Sequence, residues 1–320
     1  MNIKPFPGYE NHMLSYTVGD NEELQKRRQA QGQALIAYEL PEGMKMEDKV
    51  IPGGDGQDMN IRVYIPKDLP ANSPMVLDIH GGAFVGGNLD IDNARCIALA
   101  TRIPAVVVNV EYRLCTPGGG EVHFPAPLMD CRAAYMWMKD HAAELGADGS
   151  RIGIHGSSSG GNLSAGLALY LRDHNEQAPT LTILNCATYT SAIEETMSYQ
   201  QLYQYKMGPD NKAMGAEAAY LGGYNGTAPS YYAFPALCHD LGGLGAHFII
   251  AGEYDTLRDS AIDYATKLLR NAVPTELFVA GRLGHCFSCA PHPYTDLTHD
   301  LIAASFQREF GLLDHLKKEV

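Results

Sequence analysis

Apolar residues in this chain fall into two alternating kinds of run. Short stretches dense in Val, Ile, Leu and Phe occupy Asn60–Ile65, Met75–Ile79, Ala105–Glu111, Arg151–His155, Leu181–Asn185, His247–Ala251 and Thr275–Ala280. Several are continuous rather than alternating, which suits strands buried on both faces. Between them lie segments of helical period: Ile91–Thr101, Leu128–Leu145, Gly161–Arg172, Ser260–Asn271 and Thr295–Phe310. Strand–helix–strand alternation predicts a mostly parallel sheet with helices on both faces. Met46–Ile51, the turn Gly53–Gly56 and Asn60–Ile65 predict an antiparallel hairpin at its start, giving eight strands.

Two stretches break the alternation. Met1–Leu40 holds a helix candidate, Asn21–Tyr38, ahead of any strand. Thr188–His239 has no clear strand, is rich in Tyr and Gly, and reads as two short helices, Ile193–Tyr205 and Ala213–Tyr220. Insertions of this kind usually cover a site. The expectation is a single domain over residues 1–320, with a cap assembled from 1–40 and 188–239.

Composition narrows the classes. With 320 residues, 45% hydrophobic and 19% charged, the chain can bury a full core. A net charge of −13 argues against nucleic acid as a partner, since such proteins need a basic stripe. No apolar run approaches the roughly 18 residues of a membrane span. Met1–Leu14 lacks the apolar region of a secretory signal, and seven cysteines are too few for a disulfide scaffold. Free thiols in a reducing, cytoplasmic compartment are therefore expected.

The candidate chemistry starts at Gly156-Ser157-Ser158-Ser159-Gly160-Gly161, between the strand run Arg151–His155 and the helical run that follows. Strand–turn–helix is the context of a Gly-x-Ser-x-Gly nucleophile elbow. Gly156 and Gly160 flank Ser158 at two residues each way, so Ser158 is in frame and Ser159 is not. An activated serine needs an oxyanion hole, a base and an orienting acid. His80-Gly81-Gly82-Ala83-Phe84, past the strand Met75–Ile79, supplies glycines that let backbone N–H groups approach a substrate oxygen. The hydrolase order is Ser, then carboxylate, then His. Glu253, Asp255 and Asp259 all follow the strand His247–Ala251, and His285 follows the last strand on a glycine-bearing loop.

Taken as a set, these motifs resemble the hormone-sensitive lipase family of α/β-hydrolase esterases, in its bacterial short-chain carboxylesterase branch. His80–Phe84 resembles the family's His-Gly-Gly-Gly motif. Glu111-Tyr112-Arg113-Leu114 with Phe124-Pro125-Ala126 and Asp130 resembles its Asp-Tyr-Arg-Leu, Phe-Pro-Ala and Asp block. Gly156–Gly161 resembles Gly-Asp-Ser-Ala-Gly-Gly, and Asp255–Asp259 resembles Asp-Pro-Leu-Arg-Asp. The match spans roughly residues 45–310. It implies an α/β-hydrolase fold, Ser158 as nucleophile, Asp255 as acid, His285 as base, and N–H groups of Gly81, Gly82 and Ser159 as oxyanion hole, with His80 structural. Departures are Ser157 for the family's acid, Ser159 for Ala, Ala83 for the third Gly and Glu111 for Asp. Cys115–Val122 replaces a short link and is either a loop beside the site or a surface turn.

No cofactor and no metal is expected. His285–His292 contains Cys286-x-x-Cys289 flanked by histidines, but the second cysteine pair of a structural metal site is missing. A non-catalytic binding protein, a peptidase and a lactonase are the competing readings. The cap carries Tyr189, Tyr199, Tyr203, Tyr205, Tyr220, Tyr224, Tyr231 and Tyr232, without the long Leu/Phe stripe of a lipid tunnel. Packing of the two small helices accounts for most of them; the others suit a semi-polar pocket wall, since tyrosine offers a flat apolar face and a hydroxyl. The expected substrate is therefore a small-molecule ester with an acetyl to butyryl group, on an alcohol such as a sugar. The resemblance also leaves a homodimer open.

Overall fold

The computed structural model describes residues 6–7, 38–116, 120–206, 219–222, 230–289 and 292–313. Among them, eight strands form one sheet: β1 (Lys45–Pro52), β2 (Asp58–Ile65), β3 (Ser73–Ile79), β4 (Val106–Val110), β5 (Ala147–Ser157), β6 (Leu181–Asn185), β7 (Ala246–Gly252) and β8 (Thr275–Ala280). Their order is β1-β2-β4-β3-β5-β6-β7-β8. β1 pairs with β2 and β2 with β4 antiparallel, and the other pairs are parallel. The expected hairpin closes where Gly53 N donates to Gln57 O at 2.7 Å.

The helices are α1 (Asn93–Arg102), α2 (Ala126–His141), α3 (Ser159–Asp173), α4 (Met197–Lys206), α5 (Arg258–Arg270) and α6 (Pro293–Glu309). The segment expected as one helix to Leu145 divides, with α2 ending at His141 and a separate 3₁₀ turn at Ala143–Leu145. The helix candidate Asn21–Tyr38 before Tyr38, and Ala213–Tyr220 before Ala219, lie outside the described residues.

Side chains of a strand alternate between faces, and the core follows that rule. Met75, Leu77 and Ile79 pack with Leu128, Cys131 and Tyr135 of α2 and Leu163 and Leu167 of α3. Val76 and Val107 face the other way, onto Cys96 and Leu99 of α1 and Ile302 and Phe306 of α6. Leu184 and Ile249 pack with Leu169 of α3 and Tyr264 and Leu268 of α5. Both faces of the central strands are thus covered, which is why their sequences lack polar alternation. No helix among the described residues is long and apolar enough to cross a membrane.

One polar row interrupts this core. Asp78 of β3 is in register with Asn109 of β4 and His155 of β5, and all three are fully buried. Arg95 of α1 clasps Asp78 with two hydrogen bonds, of 3.1 and 2.9 Å, and also reaches Asp92 at 2.5 Å. His155 Nδ1 lies 2.7 Å from Asp78 Oδ1. Burial alone would raise the Asp78 pKa, but Arg95 and His155 outweigh it and hold the carboxylate charged. Removing one member of such a buried set typically costs about 3–5 kcal/mol, because the remaining charge is stranded. The row bolts together the two strands that lead into the candidate oxyanion loop and the elbow.

Four buried histidines make the fold acid-sensitive. Burial lowers His80 and, together with Arg95, His155. It holds His247 down to about 4 and His299 to about 3. These imidazoles stay neutral in the fold, whereas the unfolded chain binds their protons below about pH 6.5. Stability is therefore lost as pH falls from about 6.5, and His247 adds no further loss below about 4. At pH 5 His247 and His299 each cost about 2 kcal/mol, and His80 and His155 act in the same direction. The thermal midpoint is expected to drop steadily between pH 7 and 5, with proton uptake on unfolding. A flat profile in calorimetry over that range would contradict this.

Candidate active site

The turn from β5 into α3 places Ser158 between the last strand residue, Ser157, and the first helical residue, Ser159. Ser158 has φ 54° and ψ −120°, a region that non-glycine residues enter only where the surroundings hold them. Its N–H donates to Asn185 O of β6 at 2.8 Å. A Cβ on Gly160 would stand 2.1 Å from Ile79 O and 2.5 Å from His80 O, so only glycine lets the end of β3 lie against the start of α3. The loop of Gly81 and Gly82 is thereby brought beside Ser158.

His285 lies on the loop after β8 and Asp255 on the loop after β7. His285 Nδ1 is 2.7 Å from Asp255 Oδ2, and His285 Nε2 is 3.0 Å from Ser158 Oγ. An ionised carboxylate can only accept, so Nδ1 carries the proton and Nε2 is left to accept from the Ser158 hydroxyl. Asp255 is buried, and its Oδ1 accepts the Leu257 N–H at 2.9 Å. The two loops touch directly. Tyr254 N donates to Leu283 O at 2.8 Å, and a Cβ on Gly252 would stand 2.5 Å from that same oxygen.

The other two carboxylates after β7 are engaged elsewhere. Glu253 accepts the Arg282 N–H at 2.6 Å. Asp259 accepts the Ser198 N–H at 2.7 Å at the start of α4, and Ser198 Oγ donates to Thr256 O at 2.9 Å. Asp259 thus fastens the inserted helix to the loop that carries Asp255.

Among the described residues, no acceptor receives the N–H of Gly81, Gly82 or Ser159. Ser159 also begins a helix, where unsatisfied N–H groups favour negative charge. The loop they share is propped from behind. Tyr112 donates to His80 O at 3.0 Å, and the two rings stack with centroids 4.3 Å apart. Next to it Arg113 grips the buried Asp130 with both Nε and Nη2, at 2.8 and 2.9 Å. The Glu111–Leu114 block with Asp130 is therefore scaffolding for the loop. On the far side, Phe84 stacks on Tyr220 of the insertion at 3.9 Å.

The cap tyrosines, most expected to pack and some to line a pocket, are dispersed. Tyr189 is buried and stacks on Tyr264 in the core. Tyr231 and Tyr232 both donate to Asp173, at the far end of α3. Tyr203, Tyr205 and Tyr224 have no described side chain, which leaves Tyr199 and Tyr220. The ends of Cys115–Val122 are pinched by Thr116 N on Val122 O at 2.9 Å, and Cys115 N donates to Phe84 O.

None of the seven cysteines is in a disulfide. Cys286 is buried with φ 50°, Cys289 is exposed, and His292 caps α6 by accepting the Tyr294 N–H. Sequence reasoning missed Cys186, whose Sγ lies within 4.8 Å of ligand atoms of Asp255 and His285. It also missed Asn185 and Ser288, joined by a 2.8 Å hydrogen bond beneath the site. Neither stands in a motif, so no local signal marked them.

Comparison with known proteins agrees with this architecture. A family model described as alpha/beta hydrolase fold matches residues 76–289. Esterase LipI of Mycobacterium tuberculosis is 33% identical over 76% of this chain and 74% of its own. Ethyl acetate hydrolase of Pseudomonas putida is 29% identical over 82% of this chain and 81% of its own. Among solved structures, a bacterial heroin esterase superposes with a TM-score of 0.83 at 29% identity, covering 94% of this chain and 95% of its own. The chain belongs to the α/β-hydrolase family, in its hormone-sensitive-lipase-like group of esterases, and is a carboxylic ester hydrolase.

Proposed function

We propose that the chain hydrolyses short-chain carboxylic esters, acetyl to butyryl, through an acyl-enzyme on Ser158. The observation that carries this reading is the hydrogen-bonded line Asp255–His285–Ser158, at 2.7 and 3.0 Å, ending on a serine in a strained elbow. In this mechanism Ser158 Oγ attacks the ester carbonyl while His285 Nε2 takes its proton. Asp255 holds the imidazole tautomer and stabilises the imidazolium. The N–H groups of Gly81, Gly82 and Ser159 receive the oxyanion, a role worth about 3–4 kcal/mol for a single donor. The imidazolium returns the proton to the departing alcohol. Water, deprotonated by His285, then releases the acid and restores Ser158.

The short acyl preference is supported by the relative named for ethyl acetate. We further propose one domain, with 188–239 and the N-terminal 1–40 as its cap. The fastening of α4 to the acid loop supports this, as does Phe6 N donating to Arg282 O at the start of the histidine loop. Rates on p-nitrophenyl esters from acetyl to decanoyl are expected to peak between acetyl and butyryl. A peak at eight or more carbons would refute the substrate class.

A further inference from the structure

Asn185 closes β6 beneath the site and reaches both the nucleophile segment and the histidine loop. Its carbonyl accepts the Ser158 N–H at 2.8 Å. Its side-chain Nδ2 donates to Ser288 Oγ at 2.8 Å and lies 3.4 Å from Ser157 Oγ. Ser157 immediately precedes Ser158, and Ser288 follows His285 by three positions. One amide therefore spans the segment carrying Oγ and the loop carrying Nε2. Asn185, Ser157 and Ser288 are all buried, where hydrogen bonds are electrostatically stronger than in water.

The histidine loop needs such an anchor. Before His285 it is held by Leu283 O accepting from Tyr254 N. After His285 comes Cys286 at φ 50°, a conformation that persists only where neighbours hold it. On that side Ser288 provides one hold, beside Thr295 Oγ1 donating to Phe287 O at 3.5 Å. Ser157 stands where the resemblance leads one to expect an acid, so here the amide meets two neutral hydroxyls. The strap adds no charge beside the imidazole.

We propose that Asn185 is a positioning residue that sets the Ser158–His285 separation by tying Ser288 to the elbow. The proposal rests on the roles given above to Ser158 and His285. Small misplacements of reacting groups lower the rate of the chemical step more than they weaken substrate binding. Ser288→Ala and Asn185→Ala are each expected to lower kcat on p-nitrophenyl acetate about 10- to 100-fold, with KM within about twofold. Acting as one strap, they are expected to be non-additive, the double variant falling no further than the worse single. Ser288→Thr, which keeps the hydroxyl, is expected to recover most of kcat.

A parallel readout needs no turnover. The downfield proton resonance of the Asp255–His285 hydrogen bond is expected to broaden through faster exchange in both alanine variants. Unchanged kcat in folded Ser288→Ala, multiplicative losses in the double variant, or an unchanged resonance would each overturn the strap. Wild-type protein without Ser158-dependent turnover would instead refute the esterase mechanism, and the resonance would still decide the strap.

Discussion

Ser158→Ala is expected to lower kcat on p-nitrophenyl acetate by at least about 10⁴-fold. The reasoning is geometric. Ser158 Oγ is the atom to which His285 Nε2 is aimed, at 3.0 Å. With a methyl group there, only substrate binding and the oxyanion donors remain, and they account for a modest residue of catalysis. Alanine is also the informative choice because of Cys186, whose Sγ lies within 4.8 Å of ligand atoms of Asp255 and His285. If activity survives in Ser158→Ala and is then abolished by Cys186→Ala, the thiol is the nucleophile and the assignment of Ser158 is wrong. The expected result is that Cys186→Ala alone leaves most activity in place.

Asp255→Asn is expected to lower kcat by about 10⁴-fold with the fold intact. Asparagine can turn an N–H toward His285 Nδ1, which then has to accept rather than donate. Nε2 becomes protonated and can no longer take the Ser158 proton. The same exchange at the two neighbouring carboxylates gives a direct contrast. Glu253→Gln affects a bond to the Arg282 backbone, and Asp259→Asn affects the attachment of α4 through Ser198. Both are expected to keep kcat within about 10-fold, with Asp259→Asn acting on KM through the inserted helix. A large kcat loss at Glu253 or Asp259, with Asp255→Asn active, would reassign the acid.

Much of this architecture was legible in the sequence. The central strands β3, β4, β6 and β7 were visible because they are buried on both faces, which leaves continuous apolar runs, whereas β1, β2 and β8 keep exposed positions and showed in their spacing and flanking turns. Ser158 was legible because the elbow demands glycine at fixed offsets within a strand–turn–helix context. His285 followed from chain order. Asp255 was not separable from Glu253 and Asp259 by position alone; the family resemblance favoured it, and only the distances reveal the different partners of the three.

What sequence did not reveal depends on contacts between non-consecutive strands. Asp78, Asn109 and His155 become a row only because β3 is inserted between β4 and β5. Along the chain, Asp78 looks like a lone polar residue in an apolar run. Asn185 and Ser288 are 103 residues apart and belong to no motif. Which tyrosines pack and which could line a pocket was hidden for the opposite reason. They are close in sequence, yet the fold sends Tyr189 into the core and Tyr231 and Tyr232 to Asp173.

The central claim is that hydrolysis passes through an ester on Ser158. Rapid acid quenching of the enzyme during turnover of p-nitrophenyl butyrate, followed by peptide mass spectrometry, tests it most directly. The expected result is one butyryl group per chain, on the peptide containing Ser158, absent from Ser158→Ala. Butyryl on Cys186 or Cys286, or full turnover with no acylated peptide under conditions that trap a known acyl-enzyme, would contradict it.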